Sequence, residues 1–193
     1  MISEPLTTEE KQILLKLARQ SIELAASHQP LPVLLLSDYS TALQQEGASF
    51  VTLTEDGELR GCIGALEPYQ PLVQDVCEHA AAAAMDDYRF NPVSPDEVAN
   101  ISIEISRLTV PQPLTYQQPA ELLTCLKPGV DGVILRDGPR RGTFLPQVWE
   151  KLPSPAAFLS HLCQKMGAPS DLWRRKILQV FTYQVEEFEE GKI

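Results

Sequence analysis

Two Asp-Gly pairs, Asp56-Gly57 and Asp137-Gly138, sit inside "ASFVTLTEDGELRGCIG" and "VDGVILRDGPRRGTFLP", each between two short strand-like runs. Such a pair favours the tight turns that join hairpin strands. A hairpin makes an antiparallel pair, so a chain that turns twice in this way is poorly suited to a doubly wound parallel sheet. A third extended run, "ISIEISRLT", sets Ile101, Ile103 and Ile105 against Ser102, Glu104 and Ser106, the pattern of a strand with one buried face. "ILQVFTYQVEEFEE" alternates Phe181, Tyr183 and Val185 with Thr182, Gln184 and Glu186, which predicts one closing strand with an acidic tail.

Helices separate these strands. Thr7 and Glu10 have capping-box spacing, and Ile13, Leu14, Leu17, Ala18, Ile22 and Ala25 follow at helical intervals, predicting a helix over about residues 8–27. Pro71 opens a helix through "PLVQDVCEHAAAAAMDD", whose five alanines suit close packing. Ser94-Pro95-Asp96-Glu97 predicts another short helix, "PQPLTYQQPAELL" a connection into a short helix at about 120–126, and Ser154-Pro155 a helix that Gly167 ends. With no internal repeat and no long linker, the order predicts an α+β domain over residues 1–193.

The totals narrow the function. The net charge is −10, from 16 Lys and Arg against 26 Asp and Glu. That opposes a broad phosphate-backbone surface. The two dense basic runs, Arg140-Arg141 and Arg174-Arg175-Lys176, are short and read as solvated surface. No run approaches the about 20 apolar residues of a membrane span. "MISEPLTTEEKQ" lacks an export signal, so a cytoplasmic protein without disulfides is expected. Cys62, Cys77, Cys125 and Cys163, with His28, His79 and His161, lack zinc-ligand spacing, so no metal site is predicted and the cofactor is unknown.

Chemistry concentrates in "ELRGCIGAL". With a two-residue turn at Asp56-Gly57, Leu53 stands opposite Arg60 and Val51 opposite Cys62. Arg60 and Cys62 then project the same way, roughly 7 Å apart at the backbone. Gly61 and Gly64 leave room for a ligand or another backbone. A guanidinium beside the thiol favours its reactive thiolate. Equally, Cys62 is a small buried hydrophobe, Gly61 lets a helix pack, and Arg60 pairs with a carboxylate such as Glu104. Spacing leaves both readings open. His79 is a candidate base for Cys62 or a solvated helix residue. Glu104 is exposed or part of a cleft wall. Asp86, Asp87 and Arg89 suit a local ion pair.

"LRGCIG" resembles the signature of the AMMECR domain family, in its prokaryotic branch. The resemblance extends over "FVTLTEDGELRGCIGALEPYQPL", "AAAAAMDDYRF" with Arg89 and Phe90, "ISIEISRLT", "PGVDGVIL" and "RRGTFLPQVWEKLP". It departs at Asn91-Pro92, where the family has two prolines, and at Asp131, where some relatives have histidine. The resemblance implies two unequal lobes, the larger built from both chain ends, with the signature strand near the cleft between them. It also implies association with a Memo-like protein and a radical SAM enzyme, and it supplies no reaction. The expectation is a cytosolic enzyme or accessory protein that binds a small, anionic metabolite. Arg60, Gly61, Gly64 and Glu104 would line its site, with Cys62 as nucleophile or packed neighbour. The alternative is a non-catalytic scaffold for those partners, and a nucleic-acid role ranks third.

Overall fold

The computed structural model describes residues 5–192. Met1–Glu4, part of the segment on which the expected lack of an export signal rests, lie outside them. Nine strands are present among the described residues: β1 (Glu46–Glu55), β2 (Glu58–Gly64), β3 (Gln70–Pro71), β4 (Ile101–Leu108), β5 (Gln112–Pro113), β6 (Gly132–Asp137), β7 (Arg140–Phe144), β8 (Gln179–Tyr183) and β9 (Val185–Glu189). They form two sheets, one ordered β2-β1-β4-β9 with β3 on the start of β1, the other ordered β5-β8-β6-β7. β1 is antiparallel to β2, β3 and β4, and β6 is antiparallel to β7 and β8. With helices beside these sheets the architecture is α+β. No described helix is long and apolar enough to cross a membrane.

The chain divides into two compact units. One takes in the chain through Val110 and again from Glu186; the other runs from Pro111 to Val185. In the first, Thr7 and Glu10 complete a reciprocal capping box that starts the helix Thr8–Ala26. That helix and the alanine-rich helix Leu72–Met85 share one core with the sheet. Leu14, Ile22, Val73, Val76, Ala80 and Ala83 pack with Val51, Leu53, Ile103 and Ile105. In the second unit, the helix Pro155–Lys165 packs Phe158 and Leu162 with Val133, Leu135 and Val180. Trp149 stacks on Phe158 with centroids 3.7 Å apart and donates its indole N–H to the Asp131 carbonyl.

Four local expectations change. Asp56 and Gly57 have positive φ of 52° and 83°, as the tight turn requires. The register nevertheless slips: Thr54 pairs with Leu59 and Leu53 with Gly61, so Arg60 occupies a β-bulge and Thr52, not Val51, faces Cys62. Asp137 pairs with Arg140, which makes Gly138-Pro139 the second turn. Ser94 to Glu97 form a turn before a single 3-10 turn at Val98–Asn100, because β4 begins at once at Ile101. The closing alternation is two strands: β8 joins the second sheet and β9 the first, parting at Gln184.

Gly61 shows why the alanine-rich helix approaches so closely. A Cβ there would lie 2.1 Å from the Ala83 carbonyl oxygen. Gly61→Ala is expected to lower stability by roughly 1–3 kcal/mol through overpacking against backbone. Urea unfolding should show a lower midpoint with an unchanged slope; an unchanged midpoint would refute the contact.

Candidate functional site

β2 lies at the edge of its sheet, where unpaired backbone groups need covering. The chain covers them with the segment that ends the alanine-rich helix. Asp87, buried to 4% exposure, accepts the Cys62 N–H at 2.8 Å. Arg89 donates to both Asp87 oxygens, at 2.9 and 2.6 Å, and through Nη2 to the Cys62 carbonyl at 3.3 Å. Hydrogen bonds from the Arg89 guanidinium, against the opposing effect of burial and aided by the Cys62 and Arg89 amides, hold the Asp87 carboxyl well below the usual carboxylate range. The guanidinium that reaches Cys62 is therefore that of Arg89.

Arg60 goes elsewhere. Its Nε and Nη2 donate to Glu97 at 3.3 and 3.1 Å, its Nη1 to the Asn91 carbonyl at 2.9 Å, and its Nη2 also to the Pro92 carbonyl at 3.4 Å. Glu97, not Glu104, is thus its carboxylate partner, and the bulge at Arg60 aims the side chain at this loop. Glu97 also accepts the Ser94 N–H at 2.7 Å. That bond first, with Arg60 helping, lowers its carboxyl pKa. Arg60, Tyr88, Arg89, Phe90, Asn91, Pro92 and Glu97 line one hollow of about 580 Å³.

The other predicted residues separate. Gly61 faces the alanine-rich helix, so its neighbour Cys62 projects from the opposite face of the sheet. There Cys62, half-buried, accepts a hydrogen bond from the Thr52 hydroxyl at 3.4 Å. Thr52 stands opposite both Cys62 and Glu104, so the three form a row across β2, β1 and β4. Burial, then the charge of Glu189, raises the Glu104 pKa, with Lys192 opposing. Glu104 lines a different hollow of about 450 Å³, with Lys11, Phe188, Glu189 and Lys192 among its walls. A Cβ on Gly64 would meet the Ser49 carbonyl oxygen at 2.3 Å, so that glycine serves packing of β2 on β1.

His79 does not serve Cys62. Its Nδ1 lies 3.2 Å from Asp75 Oδ2, which also accepts the Ser49 hydroxyl at 2.6 Å. Asp75 is fully buried, and its Oδ1 has no hydrogen-bond partner among the described residues. The signal for this cluster was the i,i+4 spacing of Asp75 and His79 on an otherwise apolar helix face.

These features define an antiparallel α+β protein whose R-G-C-I-G edge strand is clamped by a D-x-R-F segment. The chain belongs to the AMMECR1 family, matching it over residues 15–188. It is 39% identical to a protein of Methanothermobacter thermautotrophicus, over 96% of this chain and 97% of that one. It is 37% identical to a protein of Methanopyrus kandleri, covering 98% and 92%. The crystal structure of an uncharacterized protein from Pyrococcus horikoshii matches with a TM-score of 0.86 at 33% identity, covering 96% of this chain and 94% of that one.

The clamp is tested by Asp87→Asn. Because the native carboxyl titrates below its unfolded value, its contribution is present above the unfolded pKa near 4 and is lost as pH falls through the native value. Asp87→Asn is expected to cost about 1–3 kcal/mol at pH 7, as when a buried carboxylate that accepts charge-assisted hydrogen bonds from a half-exposed guanidinium is removed. Urea unfolding from pH 7 down to 3 should show the gap from the native protein narrowing below about pH 4.

Proposed function

We propose that the protein binds a small anionic metabolite in the hollow that Arg60 and Arg89 share. One observation carries this reading: two guanidiniums from separate segments line one open hollow with N–H donors to spare. Among the described residues, neither N–H of Arg89 Nη1 has a partner, and Arg60 Nη1 uses one of its two. A guanidinium held by a carboxylate on one edge and open on the other is pre-oriented for a carboxylate or phosphate group. Tyr88, 94% exposed, and Phe90 supply apolar wall beside it. A catalytic version of this reading takes Cys62 as a nucleophile acting from outside the hollow's lining, where its sulfur accepts the Thr52 hydroxyl and Arg89 reaches its main-chain carbonyl.

Calorimetric titration with inorganic phosphate, sulfate and citrate tests the binding. At least one should bind saturably, and Arg89→Gln should weaken it by about tenfold or more, given the strength of charge-assisted bonds. Thermal melts of the variant exclude unfolding as the cause. No saturable anion, or equal affinity in the variant, defeats the proposal. Titrating the alkylation rate of Cys62 against pH tests the nucleophile separately: an ordinary thiol profile removes it and leaves binding intact.

A second reading is a scaffold for the Memo-like and radical SAM partners that the family resemblance implies. It is favoured by Val33 and Leu35, 92% and 63% exposed on the connection after the first helix. Under it, Cys62→Ala leaves copurification with both partners, and the activity of their complex, unchanged.

A further inference from the structure

The net charge of −10 conceals two opposite signs. Residues 111–185 carry nine Lys and Arg against five Asp and Glu, a net +4; the rest of the chain carries seven against 21, a net −14. Within the second unit, two basic runs far apart in sequence meet. Lys176 Nζ lies 2.5 Å from Asp137 Oδ1, and Asp137 pairs across the hairpin with Arg140. Arg140, Arg174, Arg175 and Lys176 are all exposed. The two acids beside them are already engaged, Asp137 by Lys176 and Asp171 by Arg175. Arg174 rests 4.8 Å from the centre of the buried Trp173 ring, and Ile177, 55% exposed, follows the run directly.

We propose that this face of the second unit docks a short acidic segment of a partner protein, with an apolar side chain of that segment against Ile177. Excess positive charge held on a packed scaffold favours an anionic partner and speeds encounter with it. The exposed isoleucine among the basic groups separates a peptide from a nucleic acid, whose phosphate backbone has nothing to bury against it. Size argues the same way. Phosphate-backbone binding draws on an extended series of basic contacts, and the whole chain's negative charge opposes a long polyanion.

Fluorescence anisotropy on the full chain tests this with four probes: a peptide alternating Glu and Leu, poly-glutamate of equal length, an oligo-dT of matched charge, and phosphatidylserine vesicles. The Glu/Leu peptide should bind best, and its affinity should fall steeply with salt. The triple variant Arg174→Glu, Arg175→Glu, Lys176→Glu, and independently Arg140→Glu with Lys176→Glu, should weaken it about tenfold, since charge complementarity carries the contact. Circular dichroism should show both variants folded. Ile177→Ser should weaken the Glu/Leu peptide and leave poly-glutamate unchanged. The proposal fails if oligo-dT or the vesicles bind more tightly than the peptide. It also fails if no probe binds, or if both charge-reversed variants, folded, keep the native affinity.

Discussion

The buried carboxylate of Asp87 is where the signature segments of this protein meet. It closes the exposed backbone of β2 at Cys62 on one side and fixes the Arg89 guanidinium on the other. That geometry has two preconditions. The alanine-rich helix must stop at Met85, so that Asp87 falls beside the strand, and the helix must lie close enough for a one-residue bond. Gly61 meets the second condition, since any side chain there would strike the Ala83 carbonyl. The close approach and the charge clamp thus depend on each other. Removing either leaves an edge strand with unsatisfied groups or a carboxylate with unsatisfied charge.

The bulge at Arg60 turns this support into a hollow. A regular register would carry Arg60 along the strand face with Cys62. The extra residue instead swings the guanidinium toward Asn91, Pro92 and Glu97, so Arg60 ties down the far end of the loop that Arg89 begins. The loop is held at both ends by arginines whose partners are carboxylates, and the space between those ends is the hollow. Cys62 contributes to the clamp through its main chain, while its sulfur belongs to the polar row with Thr52 on the opposite face from the helix.

Features decided within a few residues were legible in the sequence. The Thr7–Glu10 box, the Asp56-Gly57 turn and the Ile101–Ile105 alternation each follow from local backbone and side-chain chemistry. What escaped depends on contacts between distant segments. A bulge is a choice between two registers, and here it goes with placing Gly61 against the helix, which the hairpin sequence alone does not contain. The alternation from Phe181 to Glu186 keeps its period of two across Gln184 while the chain changes sheets, because period reports faces and not partners. Ser94 to Glu97 hold a helix-start signal, yet Glu97 answers to Arg60 as well as to Ser94 and the chain enters β4 at Ile101. The Arg60 partner was out of reach for the same reason: Glu97 and Glu104 are equally plausible until the fold selects one.

Charge shows the same division between local and whole-chain properties. A total of −10 is a sound argument against a surface that wraps a long polyanion, since the far field of the molecule is negative. It has little force for a partner that touches a few residues. At physiological salt, exposed charges are screened over about 8 Å, so a docking segment responds to the groups beside it and only weakly to the sum. Lys176 and Arg140 are 36 positions apart in sequence, and β6, β7 and β8 pair their segments into one sheet. Two runs that are each too short to matter in a linear reading become a single positive surface through strand pairing. Folding therefore concentrates this charge as effectively as it concentrates hydrophobic side chains, and composition averages it away.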